Sequence, residues 1–97
     1  MKPSEDEPHG SLVLIELKNT DWDKVINVCR LAKRHAAQMF SYMGHCWELV
    51  ERGTIDSFQA AIVYPRKPES SAVIEMLNTL LGDDGIAVYW YDEIKHG

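Results

Sequence analysis

The chain has 97 residues, enough for one domain around one core, and 45% of them are hydrophobic, which excludes a disordered protein. A net charge of −5 argues against binding nucleic acid through phosphate neutralisation and leaves room for a protein partner with a basic face. No apolar run approaches the roughly 18 residues of a membrane span, and two cysteines, Cys29 and Cys46, are too few for a secreted disulfide framework, so a reduced, cytoplasmic setting is expected.

Residues 1–10 are polar, with two prolines and the acidic cluster Glu5, Asp6 and Glu7. They lack the apolar core of a secretion signal and read as a flexible acidic tail, leaving 11–97 as a single α+β domain. Leu12 to Leu17 is short, apolar and partly β-branched, which predicts a strand buried on both faces. From Thr20 to Met43 the residues Trp22, Val25, Ile26, Val28, Cys29, Ala32, Ala36, Met39 and Phe40 recur at helical spacing. Thr20 suits the N-cap, Asp23 follows three residues on, and Gly44 suits the C-terminus.

His45 to Val50 and Ser57 to Tyr64 read as two strands joined through Gly53 and Asp56, a hairpin; the first run can alternatively extend the helix to Gly53. Pro65 and Pro68 break the chain before a second helix, Glu69 to Leu81, capped by Ser70 or opened by Pro68 and closed by Gly82. Ile86 to Tyr91 is the last strand. The order β-α-β-β-α-β predicts a ferredoxin-like fold, a four-stranded antiparallel sheet with two helices on one face. The strands carry apolar residues on both faces, so the face away from the helices is expected to be covered by a second copy or another protein.

No pattern points to catalysis or to a cofactor. Adjacent His45 and Cys46 on a strand would face opposite ways, and Cys29 falls on the buried helix stripe. There is no C-x-x-C or H-x-x-x-H for a metal, and Asp83-Asp84 between two glycines reads as a turn. The third strand of an RNA-recognition domain should carry stacking aromatics, but Gln59 and Ala61 stand in those places, so nucleic acid is not an expected partner.

The leading expectation is a small non-enzymatic protein-binding module acting as inhibitor, adaptor or subunit, as a homodimer or in a complex. Its candidate interface residues are Lys24, Leu31, Arg34 and His35 on the outer face of the long helix, and Tyr89 and Tyr91 on the sheet. Two alternatives rest on fold analogy. One is a regulatory ligand-binding domain using Asn19, Thr20, Asp21 and the free amides of the helix start. The other is a dimeric α/β-barrel enzyme with His45, Tyr89 or Tyr91 as acid or base.

Overall fold

Three parallel strands, joined by two helical crossovers, frame the computed structural model, which describes residues 10–96. In chain order they are β1 (Ser11–Leu17), a 3-10 turn (Trp22–Lys24), α1 (Val28–Glu51), β2 (Ser57–Tyr64), α2 (Ser71–Asp83), β3 (Ile86–Trp90) and α3 (Tyr91–His96). The expected acidic tail lies, but for Gly10, outside the described residues.

The four-stranded antiparallel ferredoxin-like sheet is therefore not the fold. The sheet has strand order β1-β2-β3, and both pairings are parallel, with Ser11 opposite Ser57 and Ala60 opposite Ile86. The cause is the segment expected to form the first strand of a hairpin. His45 to Val50 continues α1, because Cys46 extends the buried line of Ala32, Ala36, Met39 and Met43 by another turn. Gly44 sits inside the helix with open space around it, at a propensity cost of about 1 kcal/mol that the surrounding stripe outweighs. At 24 residues, α1 spans roughly 36 Å. That length returns the chain to the starting edge of the sheet, so β2 enters parallel to β1.

The helix also begins later than expected. Asp21 accepts a hydrogen bond from the Asp23 amide and caps the 3-10 turn, while the Asn27 side chain accepts from the Arg30 amide at 3.1 Å and is the true N-cap of α1. Ser70 caps α2 by accepting from the Val73 amide. Gly85, at a φ of 76°, makes the left-handed turn into β3 that a side chain would strain. Tyr91, expected at the end of the last strand, opens α3 instead.

The core lies between the sheet and α1 and α2. Ala60, Ile62 and Tyr64 of β2 and Ile86 and Trp90 of β3 meet Ala32, Ala36, Met39 and Met43 of α1 and Leu77 and Leu81 of α2. Trp22, almost fully buried, seals the end where the strands terminate. Each of the large aliphatic side chains among them, Ile62, Leu77, Leu81 and Ile86, contributes about 1.5–3 kcal/mol through burial. All the inward strand residues share one parity; the other parity faces away from both helices.

Candidate functional site

A strand sends successive side chains to opposite faces, and the register of the pairings decides which of them line up across the sheet. Ile15, Ala61 and Ala87 form one transverse row, and Leu17, Val63 and Tyr89 form the next. Among the described residues this is the face that α1 and α2 leave uncovered. Val13 and Ile15 are 54% and 55% exposed, Leu17 76% and Tyr89 50%. Beside β3, α3 brings Ile94 to the same surface. Val13, Ile15, Tyr89 and Ile94 line a groove of about 560 Å³ over Ala61 and Ala87, and Leu17 lies outside it. Among the described residues the lining carries no acidic or basic side chain. These residues form one continuous apolar patch on that face.

The opposite face holds the polar centre of the core. His35 Nδ1 and the Tyr64 hydroxyl are 2.7 Å apart, both side chains are buried, and Trp22 meets both rings edge-on. Burial, reinforced by the positive charge of Lys18, lowers the His35 pKa to about 4, and Glu16 opposes the shift. Burial and Glu16 push the Tyr64 hydroxyl above its ordinary range. Both groups are therefore neutral at pH 7, and the bond between them ties α1 to β2. Nearby, Lys18 Nζ bridges Glu16 Oε1 at 3.0 Å and donates to Gln38 Oε1 at 2.5 Å, which ties β1 to α1. Glu16 Oε2 and Trp22 Nε1 have no hydrogen-bond partner among the described residues.

Above this centre the loops at the carboxyl end of the sheet close over one another. Arg66 pairs with Asp21 at 2.6 Å, the Glu69 amide donates to Asp23, and Lys67 reaches Glu93 of α3 at 2.7 Å. In open parallel sheets ligands sit where the strand order reverses. The order β1-β2-β3 has no such reversal.

The sequence-predicted residues do not form one site. Tyr89 lies on the open face, and Tyr91 lies beyond it, beside Leu17 and Pro65 at the strand ends. Leu31 and Arg34 share a depression of about 220 Å³ with Asn27 and Arg30, but Leu31 is half-buried against the core. Lys24 is exposed in the 3-10 turn, 3.9 Å from Asp21. His35 points inward to Tyr64 instead of outward beside Arg34. Asn19 is exposed, Thr20 half-buried, and Asp21 engaged by Arg66. The helix amides expected beside them lie at Val28 and beyond, where Asn27 caps them. His45 is exposed on α1 beside buried Cys46.

Sequence reasoning missed Ala61, Ala87 and Ile94 on the open face, and the His35–Tyr64 pair. His35 carries a readable signal, since it falls in phase with Ala32, Met39 and Met43. Ile94 does not, because only the turn of Tyr91 into α3 brings it to the sheet. Among the described residues no group of three or more His, Cys, Asp or Glu could hold a metal ion, and no helix is long and apolar enough to cross a membrane. No protein-family model matches the chain, and neither the curated proteins nor the solved structures searched contain a match to it.

Proposed function

We propose that this chain is a small, non-enzymatic protein-binding module that acts through the helix-free face of its parallel sheet. The observation that carries the reading is the exposure of Val13, Ile15, Leu17 and Tyr89 on one side of an all-parallel sheet. Parallel sheets are built to be covered on both faces, and α1 and α2 cover only one. At about 25 cal/mol per Å², removing several hundred Å² of that surface from water is worth on the order of 10 kcal/mol before the costs of association. A cytoplasmic setting suits a chain whose two thiols are unpaired, one buried and one half-buried.

The polar centre supports a binding role over catalysis. A histidine with a pKa near 4, bonded to a tyrosine whose pKa is raised, is poorly matched to proton transfer at neutral pH. It serves packing.

Site-specific photocrosslinking tests the reading. Benzoylphenylalanine in place of Gln59, exposed on the open face, should form discrete protein adducts in cells. The same group in place of Glu75, exposed on α2, should form none. Equal labelling from both positions, or none from Gln59, refutes it.

A further inference from the structure

We propose that the occupant of the open sheet face is a second copy of this chain, which seats Ile15 of its β1 over Ala61 and Ala87 of the first. The proposal rests on the reading of that face as a protein-binding surface and goes on to name the partner.

The relief of the face is self-complementary. Along β1, Val13, Ile15 and Leu17 stand in a raised row of branched side chains. One and two strands away, Ala61 and Ala87 continue the row of Ile15 with nothing beyond a Cβ, and the surface rises again at Tyr89 and Ile94. Strands lie about 4.8 Å apart and packed sheets about 10 Å apart, so a ridge on one sheet can enter a trough one or two strands over on the facing one. A two-fold axis running between the sheets and along the strands keeps each row in place, so it sets Ile15 of each copy over Ala61 and Ala87 of the other. An axis across the strands would instead set ridge on ridge. The geometry therefore selects one orientation.

Charge favours the same occupant. The chain carries a net charge of −5, yet among the described residues no acidic or basic side chain lines the groove. A partner recognised through charge would find nothing to pair with there, whereas a copy of the same face meets it without an unpaired ion. Because the rest of each copy is acidic, added salt should screen the mutual repulsion and strengthen the association. An interface built on opposite charges responds in the reverse sense.

The area also fits. Val13, Ile15, Leu17, Tyr89 and Ile94 are each half or more exposed. Together with Gln59 and Ala87 they offer on the order of 600 Å² per copy, toward the lower reach of the roughly 800 Å² per partner typical of specific interfaces.

Sedimentation velocity on the purified full chain, from about 1 to about 200 µM, reads the mass directly. The proposal expects a species of twice 11.1 kDa, with a dissociation constant that falls several-fold between about 0.1 and 0.5 M NaCl. Ile15→Lys should weaken the dimer at least a hundredfold, with far-UV circular dichroism unchanged because Ile15 lies outside the core. Ala87→Trp is the sharper variant, since it adds apolar area while filling the trough. It should weaken the dimer at least tenfold, and tighter association would overturn the proposal in favour of non-specific adhesion. A wild-type chain that stays monomeric at every concentration and salt also overturns it. In that event the Gln59 crosslinks in cells separate the two readings. Adducts to a different protein leave the binding face standing with another occupant, and no adducts refute both.

Discussion

At the scale of single residues, His35 and Tyr64 set the acid limit of the fold. The His35 pKa falls from 6.5 to about 4 on burial, so between these values the unfolded chain binds a proton that the native one refuses. Stability is therefore complete above about pH 6.5, declines as the pH falls toward 4, and changes no further from this source below that. The decline amounts to about 2–3 kcal/mol between pH 7 and pH 4.5. Urea unfolding at the two pH values measures it, and in His35→Gln the difference should shrink by that amount. Tyr64→Phe removes the partner of a buried imidazole nitrogen and should cost about 1–2 kcal/mol at pH 7. From the sequence His35 reads as an outer-face residue of the helix, although its phase with Ala32 and Met39 carries the signal of burial; the identity of its partner carries none. Tyr64 lies 29 residues away, and only the docking of α1 on β2 brings the two rings together.

At the scale of elements, α1 shows where local signals mislead. Thr20, Asp23 and Gly44 are conventional helix punctuation, yet Thr20 precedes the 3-10 turn, Asp23 lies within it and Gly44 lies inside α1. Tertiary burial overrides them: Met43, Cys46, Leu49 and Val50 repeat at spacings of three and four, a helical pattern present in the run that also reads as a strand. Trp47 then packs edge-on against Phe58 at 4.8 Å, which fixes where β2 begins. The bounds of β2, the existence of α2 and its Ser70 cap were legible because prolines and serines frame them. Two glycine substitutions separate these cases. Gly44→Ala, at an ordinary helical position open to solvent, should add up to about 1 kcal/mol and raise the melting temperature. Gly85→Ala, at a φ of 76°, should cost about 1–2 kcal/mol and lower it.

At the scale of the whole molecule, one misassigned strand changed an antiparallel sheet into a parallel one. Two helices, an apolar first strand and an aromatic last strand are common to both, and only the continuation of α1 past Gly44 distinguishes them. What the sequence did carry is the apolar content of both strand faces. In the parallel sheet that content sorts by parity into Ala60, Ile62 and Tyr64 toward the helices and Gln59, Ala61 and Val63 away from them. The candidate site is therefore a property of register, which no stretch of sequence displays alone. If two copies share that face, folding and association are linked, and the melting temperature should rise with protein concentration. Differential scanning fluorimetry across a hundredfold range reads this, and a flat response would count against a folded dimer.

The register also sets an order of events during synthesis. Ala60 and Ile86 are 26 residues apart, whereas Ser11 and Ser57 are 46 apart, so β1 leaves the ribosome long before its neighbour exists. At about 5–20 residues per second, the nascent Leu-Val-Leu-Ile-Glu-Leu segment waits roughly 2–9 s for β2 to be made. During that interval it is an unpaired, apolar, extended peptide, the form that chaperones hold and that neighbouring nascent chains on a polysome can capture. The strand made first waits longest for its neighbour.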